Sequence, residues 1–182
     1  MKFHPAIVQT TCPSPLGAIT LAATPHGLAG VWFDGQQHLP PALLQAPATW
    51  PMDASHPVLR LASQQLAEYF AGQRQHFDLP LDLSGGTDFQ QAVWRALLAI
   101  EPGQTQSYGH VSQHIGRPTA VRAVGAAIGR NPVSIIVPCH RVLGANGSLT
   151  GYAGGLLRKT HLLTLEGALP RSAELLPCPL LP

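Results

Sequence analysis

Cys139, His140 and Arg141 stand side by side immediately after a short apolar run. A cysteine attacks as the thiolate, and a neighbouring imidazole or guanidinium favours that charged form. The three residues therefore predict a cysteine nucleophile. Because adjacent side chains point in different directions, His140 would reach the sulfur either directly or through a bridging water. The alternative is a small buried cysteine that only packs, which is the common role of a single cysteine at a strand end.

The run before the thiol predicts a short buried strand. Ile135, Ile136 and Val137 are β-forming residues, and Pro132 and Pro138 bound them. Pro138 cannot donate a backbone hydrogen bond, so the strand should end there. The thiol is therefore expected at the end of a buried strand.

A capping box predicts the helix that opens the second half of the chain. Thr87 can cap the first turn, and Gln90 stands three residues later, where its side chain can return a hydrogen bond. The helix should extend to about Ile100, because Pro102 and Gly103 then end it.

Two short helices follow and predict a helix-turn-helix. Ser107 can cap a helix over residues 108–115, and Gly116-Arg117 would form the turn. Pro118 opens the next helix, which is built almost entirely of small residues and carries one long polar side chain, Arg122. A helix with a small-residue face can approach DNA closely, and we favour this interpretation. The alternative is a tightly packed core helix, in which Arg122 would be out of place.

The first half of the chain predicts a small sheet. Short strands are expected over residues 6–11, 19–23 and 28–33, joined by turns as a β-meander. Residues 34–55 have no clear periodicity and predict a loop with at most a short helical turn. Residues 77–83 alternate between apolar and polar side chains, which predicts a further strand.

One helix is predicted to cover this sheet. An apolar stripe with helical spacing extends over residues 56–71, with Ser55 as its N-cap and Gly72 at its end. No residue type or spacing within residues 1–84 indicates chemistry.

A glycine-rich loop and a final helix follow the thiol. Residues 143–155 contain many glycines and predict a loop that can fold closely over a ligand. Residues 156–166 predict a helix, which Gly167 ends. The proline-rich residues 168–182 predict a disordered tail, in which Cys178 would be incidental.

The charge is unevenly distributed along the chain. The net charge is +2, but residues 1–84 carry three basic and five acidic side chains, whereas residues 85–182 carry eight basic and four acidic ones. A basic second half predicts a polyanionic partner. The alternative is an ordinary solvated surface.

The cysteine count indicates a reducing compartment. The three cysteines do not form a disulfide framework, and the absence of a CxxC pair argues against a zinc ribbon. A metal site that mixes Cys12 with histidines stays open as an alternative. The N-terminus lacks a signal-peptide core and no apolar run reaches membrane-spanning length, so we expect a soluble cytoplasmic protein.

Four motifs of the second half stand out: Arg122-Ala123-Val124-Gly125, Asn131-Pro132, Pro138-Cys139-His140-Arg141-Val142 and Gly151-Tyr152-Ala153-Gly154-Gly155. Together they resemble those of the O6-alkylguanine-DNA alkyltransferase family, whose members are also called methylated-DNA–protein-cysteine methyltransferases. The resemblance spans residues 86–167, whereas residues 1–84 match the family only in length and in their pattern of strands and helix.

The resemblance implies an α+β fold with two domains. Residues 1–84 would form a ribonuclease H-like domain with a small β-sheet and a helix. Residues 85–167 would form a mainly helical domain, similar to a winged helix-turn-helix, that carries the active-site cysteine.

The resemblance also implies a role for each catalytic residue. Cys139 would accept the alkyl group from guanine O6 as a thioether, His140 would act on the thiol through a water, and Glu166 would hold the other imidazole nitrogen. Tyr108 would give a proton to a ring nitrogen of the departing guanine. Asn131 would hold the active-site turn by hydrogen bonds.

A substrate pocket and a DNA surface are implied as well. The backbones of Cys139 and Val142 would contact the exocyclic amine of guanine, and that of Ala153 would contact O6. The target nucleotide must leave the duplex, and Arg122 would enter the gap. The implied pocket residues are Val142, Tyr152, Ala153 and Gly154, and the implied DNA-binding residues are Tyr108, Thr119, Arg122, Ala123 and Gly125.

The chain departs from the family pattern at two places. Some members have a hydroxyl residue where this chain has Ala153, and the smaller residue could admit larger alkyl groups. Some members bind a structural zinc in the N-terminal domain, but its ligand pattern cannot be assembled from residues 1–84. We therefore expect neither a metal nor a cofactor.

The implied function is DNA repair by irreversible, single-turnover transfer of an alkyl group from O6-alkylguanine, and in addition from O4-alkylthymine, to Cys139. The partner would be double-stranded DNA, bound in the minor groove by a monomer with the base flipped out. The main alternative is a non-catalytic lesion sensor of the same fold, but such proteins lack the cysteine. A sequence-reading regulator and a multiple-turnover cysteine hydrolase are further alternatives, and Arg122 with Thr119 offers little for direct readout of bases.

Overall fold

A three-stranded antiparallel sheet forms the centre of the N-terminal half. The structure is a computed structural model that describes residues 1–45 and 49–170. Strands β1 (Val8–Cys12), β2 (Ile19–Thr24) and β3 (Gly27–Phe33) pair in chain order, which confirms the predicted meander. The whole of β3 is buried, because the helix over residues 57–70 covers one face of the sheet and a cluster that contains three aromatic side chains covers the other.

Two helices belong to this half. The first, α1 (Pro41–Leu44), is a single turn within the predicted loop, and the second, α2 (Pro57–Phe70), is the predicted long helix. The predicted cap was wrong, because His56 occupies the N-cap and Pro57 begins the helix. Ser55 instead donates its hydroxyl to Asp53 Oδ1 at 2.6 Å.

The predicted strand over residues 77–83 was wrong. Only Leu81 forms a β-bridge, to Leu28 of β3. Pro80 lacks a backbone N–H and offers only its carbonyl, which accepts from the Leu28 N–H at 2.7 Å, so a regular ladder cannot continue through it. The alternating pattern reflects a segment that packs one side against the sheet and joins it only at this single bridge.

Four helices form most of the C-terminal half. They are α3 (Asp88–Leu97), α4 (Tyr108–His114), α5 (Val121–Gly129) and α6 (Leu156–Leu165). The capping box of Thr87 and Gln90 is present, and Ser107 accepts from the His110 N–H at 3.1 Å. Both predicted caps are therefore confirmed. The fifth helix starts later than predicted, since residues 118–120 form a turn and Ala120 is its N-cap.

The predicted strand over residues 135–137 was also wrong. These residues are buried as expected, but they form turns, and Ile135 has a φ of 72° that no strand residue adopts. Within this segment only Val133 bridges to β3, at Val31, and the backbone groups that follow it form local hydrogen bonds instead. A 3₁₀ turn over Cys139–Arg141 follows and leads into β5 (Val142–Leu143), which pairs in parallel with β4 (Gln106–Ser107).

The two halves share one hydrophobic core. Side chains of the sheet and of α2 belong to the same buried cluster as those of α3, α5 and α6. The Trp94 indole fixes α3 to α5 by donating to the Ala127 carbonyl at 2.9 Å. The α+β architecture, with an N-terminal sheet domain and a C-terminal helical domain, is thus confirmed.

Among the described residues, no helix is long and apolar enough to cross a bilayer. The predicted disordered tail over residues 168–182 lies outside the described residues from position 171 onward, and so does Cys178. The domain boundaries drawn from the sequence stay a prediction.

Candidate active site

The Cys139 thiol is held in the 3₁₀ turn that ends the buried run. Only 4% of the residue is exposed. Burial raises the pKa of the thiol, and the hydrogen bond from Asn131 and the charge of Lys159 oppose that rise without cancelling it. The resting sulfur is therefore protonated, contrary to the expectation that its two neighbours hold it as a thiolate. Burial is the main cause, and Arg141 does not offset it because its guanidinium pairs with Glu166.

Asn131 connects the sulfur to the preceding turns. Its amide nitrogen donates to the Val137 carbonyl at 2.8 Å and to Cys139 Sγ at 3.1 Å. Its carbonyl oxygen accepts from the Val133 N–H at 3.0 Å. The side chain is buried, so these bonds fix both ends of the turn that carries the thiol.

His140 lies against Glu166 in a fully buried position. Its Nε2 is 2.9 Å from Glu166 Oε1, and a carboxylate can only accept, so the imidazole proton lies on Nε2. The other ring nitrogen, Nδ1, is then an acceptor, and it is buried without a hydrogen-bond partner among the described residues. Burial lowers the pKa of His140, although Glu166 opposes the change. A neutral imidazole with a free acceptor nitrogen can take a proton.

Glu166 is an ionised carboxylate at the end of α6. Arg141 donates two hydrogen bonds to it, from Nε to Oε2 at 2.8 Å and from Nη2 to Oε1 at 2.9 Å. Burial alone would raise the pKa of Glu166, but the hydrogen bonds and charges of His140 and Arg141 outweigh it and lower the pKa to about 2. The interpretation of Glu166 as a solvated helix-end residue is excluded, since only 2% of its side chain is exposed.

Sequence reasoning missed Lys159 on α6. The side chain is fully buried, and its ammonium donates to the carbonyls of Val142 at 2.6 Å and Thr150 at 2.7 Å. It thereby ties the end of the 3₁₀ turn to the glycine-rich loop. Burial lowers the pKa of Lys159 to about 8. The only signal in the sequence is a lysine in line with the apolar face of an amphipathic helix.

Sequence reasoning also missed Tyr69, which lies on α2 in the half that suggested no chemistry. Its hydroxyl donates to Glu166 Oε1 at 2.7 Å. The available signal was indirect, because a tyrosine on the buried stripe of a helix needs a partner for its hydroxyl.

The glycine-rich loop covers one side of the thiol. Tyr152 is buried and its ring meets the His140 ring edge to face at 6.5 Å. Gly154 packs so closely that a Cβ there would lie 2.6 Å from the Tyr152 ring, and the Ala153 carbonyl accepts from the Gln37 N–H at 2.9 Å. The Tyr108 hydroxyl reaches the same loop at the carbonyls of Thr150 and Gly151.

Three of the five expected DNA-binding residues are exposed, in contrast to the buried thiol. Thr119 lies in the turn before α5, and Arg122 and Ala123 lie in the first turn of the helix, whereas Gly125 faces the Tyr108 ring. Four arginines of the helical half are exposed, on α3, in the turn before α5, on α5 and at its C-cap: Arg95, Arg117, Arg122 and Arg130. Tyr108 connects helix α5 to the thiol region, because its ring lies beside Gly125 and its hydroxyl reaches the glycine-rich loop.

The structure brings no metal-binding cluster together in its described ranges, residues 1–45 and 49–170. Cys12 is buried in β1, and burial raises the pKa of its thiol. The alternative of a site that mixes Cys12 with histidines therefore finds no support within these ranges.

Two family models cover nearly all the described residues. The DNA-binding domain of 6-O-methylguanine DNA methyltransferase matches residues 88–168, and its ribonuclease-like domain matches residues 7–83. A methylated-DNA–protein-cysteine methyltransferase of Mycobacterium tuberculosis is 49% identical over 156 residues, which are 86% of this chain and 90% of the relative. The chain belongs to this methyltransferase family. The resemblance of the sequence motifs is thereby confirmed.

Further members of the methyltransferase family agree in sequence and in fold. The methylated-DNA–protein-cysteine methyltransferase of Methanosarcina acetivorans is 48% identical over 85% of this chain and 95% of the relative. The crystal structure of Mycobacterium tuberculosis OGT in complex with DNA superposes with a TM-score of 0.76 at 47% identity, covering 87% of this chain and 91% of that one.

Proposed function

We propose that this protein repairs DNA by transferring an alkyl group from guanine O6 to its own Cys139. One observation carries the proposal: the thiol is buried beside a neutral His140, whose proton-accepting nitrogen is unpaired and whose other nitrogen bonds an ionised Glu166. Membership in a family whose relatives carry the name methylated-DNA–protein-cysteine methyltransferase supports the substrate.

The proposed transfer is a single displacement at carbon. Cys139 Sγ attacks the alkyl carbon while the bond from that carbon to guanine O6 breaks. His140 takes the thiol proton on Nδ1 through one water, and Glu166 stabilises the imidazolium. Tyr108 gives a proton to a ring nitrogen of the leaving guanine and is reprotonated afterwards. The net change replaces the alkyl group on guanine by a proton and leaves a thioether, so each molecule reacts once.

The proposed pocket lies between the 3₁₀ turn and the glycine-rich loop. The backbones of Cys139 and Val142 would contact the exocyclic amine of guanine, the Ala153 backbone would contact O6, and Tyr152 with Gly154 would form one wall. Asn131 would keep the thiol in line with the alkyl carbon. The bonds of Asn131 to both ends of the turn support that role.

The proposed partner is double-stranded DNA bound through the minor groove. The small residues Ala123 and Gly125 allow close approach of α5, Thr119 and Tyr108 flank the groove, and Arg122 fills the gap left by the flipped nucleotide. The exposed arginines nearby supply attraction to phosphates. We further propose that the protein acts as a cytoplasmic monomer without a cofactor, and that O4-alkylthymine is a second substrate.

Intact mass after mixing with a duplex that carries one O6-methylguanine tests the proposal. We expect the mass to rise by one methylene unit, to stop at one per chain and to map to Cys139. Cys139→Ala should abolish the gain while lesion binding persists. The matched control is Cys12→Ala, which removes the other buried thiol of the described residues and should still be methylated. Lesion binding by wild type without a mass change would instead identify a sensor.

A further inference from the structure

Tyr69 is a residue of the N-terminal half that contacts the active-site carboxylate. Its ring packs against Phe70 and Phe77, with centroid distances of 5.4 Å in each case. Its hydroxyl reaches Glu166 across 97 positions of sequence. Only 2% of Tyr69 is exposed, so bulk water does not compete for this hydrogen bond.

The two oxygens of Glu166 are occupied unequally. Oε2 accepts one hydrogen bond, from Arg141. Oε1 accepts from Arg141 at 2.9 Å, from His140 at 2.9 Å and from Tyr69 at 2.7 Å. The Tyr69 hydroxyl and the His140 imidazole therefore share the negative charge of one oxygen. A donor that partly neutralises this charge reduces the stabilisation that the same oxygen gives to an imidazolium.

The Tyr69 hydroxyl acts as a hydrogen-bond donor to Glu166. Burial, followed by the charge of Glu166, raises the pKa of its phenol well above the ordinary value. The hydroxyl therefore keeps its proton throughout the physiological pH range and cannot act as an acid or a base. Its contribution to the site is a fixed dipole pointed at Oε1.

We propose that Tyr69 is a positioning residue, whose hydroxyl limits the basicity of His140 by sharing Glu166 Oε1 with it. The inference rests on the proposed function, in which His140 takes the thiol proton. Charged or titratable side chains face His140 from the 3₁₀ turn, the glycine-rich loop, α6 and α2: Cys139, Arg141, Tyr152, Lys159, Glu166 and Tyr69. Tyr69 is the member of this group that comes from the N-terminal half of the chain.

Tyr69→Phe tests the proposal, because it keeps the ring and removes only the hydroxyl. With that donor gone, more of the charge on Oε1 faces His140 and stabilises the imidazolium. We expect the pKa of His140 to rise by about half a unit to one unit, the differential effect of one hydrogen bond. NMR titration of the imidazole in the full chain measures this directly. The acid limb of the single-turnover rate with free O6-benzylguanine should move to higher pH by the same amount.

Gln65→Met is the matched control. Gln65 is buried one helical turn before Tyr69, and its side chain bonds the backbone of Asp78 at 2.9 and 3.0 Å without touching Glu166. This variant should lose stability, yet its His140 titration should coincide with that of wild type. A folded Tyr69→Phe variant with an unshifted His140 titration would reduce Tyr69 to a packing contact and overturn the inference.

The two proposals fail in different ways. If wild type acquires no alkyl group from the lesion, the proposed function is refuted. The NMR comparison does not depend on transfer, so a shifted titration in Tyr69→Phe would still support the link between Tyr69 and His140.

Discussion

At the scale of the residue, the Tyr108 phenol makes only long hydrogen bonds to the glycine-rich loop. Its hydroxyl donates to the carbonyls of Thr150 at 3.3 Å and Gly151 at 3.4 Å, which are long distances for an O–H donor. Burial raises the pKa of the phenol, with the Thr150 contact opposing. A phenol that keeps its proton and makes only weak hydrogen bonds can reorient toward the guanine, on which negative charge develops as the alkyl group leaves.

Replacement of Tyr108 by Phe should slow alkyl transfer and change lesion binding little. General acid catalysis by one side chain contributes about 10²-fold or more, so we expect a loss of that order in the single-turnover rate. Rapid-quench kinetics on a duplex with O6-methylguanine measures the rate, and titration of the same duplex measures affinity. An unchanged rate would remove Tyr108 from the proton-donor role.

At the scale of the element, helix α5 separates two tasks on two faces. Val124, Ala127 and Ile128 are buried and hold the helix in the core. Arg122 projects from the exposed side and forms no ion pair or hydrogen bond within the described part of the chain. The side chain is therefore available to take the place of a base without first breaking a contact in the protein.

Arg122→Ala should weaken repair of duplex DNA much more than reaction with free O6-benzylguanine. Filling the gap offsets lost stacking of about 1–3 kcal/mol, so the duplex reaction should fall by roughly 10- to 100-fold. Arg130→Ala is the control, since it removes an equal charge from the other end of α5. Equal losses on both substrates in Arg122→Ala, or equal losses in both variants, would exclude the flipping role.

Elements with local signals were predicted from the sequence, and elements that depend on distant partners were not. The capping box at Thr87 and the stripe of α2 are encoded within a few residues, and both are confirmed. The run over residues 135–137 is apolar and β-branched, but whether it becomes a strand depends on whether a neighbouring strand lies alongside. Only Val133 finds one, so the run folds into turns instead.

The candidate site shows the same division. Cys139 and His140 could be selected because they are adjacent in one motif, and Asn131 because it belongs to a second motif eight positions before Cys139. Tyr69 could not, because its hydrogen bond to Glu166, 97 positions away in sequence, exists only in the folded chain. The prediction for Arg141 was wrong for a related reason. Its position next to Cys139 in the sequence suggested a contact with the thiol, whereas its guanidinium pairs with Glu166.

At the scale of the whole molecule, the Glu166 carboxylate is a centre at which both halves meet. Tyr69 of α2 and His140 and Arg141 of the 3₁₀ turn all bond this carboxylate, which stands at the end of α6. Its pKa of about 2 lies below the ordinary value of 4.5, so the folded state favours the charged form. The resulting stability is fully present above pH 4.5 and is lost as the pH falls toward 2.

Glu166→Gln should therefore lower the free energy of unfolding most at neutral pH. Removing one partner of a buried ion pair costs about 3–5 kcal/mol, because Arg141 is left without its counter-charge. The difference between wild type and variant should shrink as the pH is lowered through the window between 4.5 and 2. Urea denaturation at neutral pH and within that window measures it. A difference that does not change with pH would show that the carboxylate is not ionised in the folded protein.

The burial of Cys139 also bears on unwanted reactions. A protein that reacts once is inactivated by any electrophile or oxidant that reaches its sulfur, and both classes attack the exposed thiolate first. Here the sulfur is covered and, because burial raises its pKa, protonated. Peroxide and small soluble alkylating agents thus meet a shielded, neutral thiol. The molecule would keep its single reaction for a substrate that first fits the pocket, so selectivity would come from shape and not from a highly reactive sulfur.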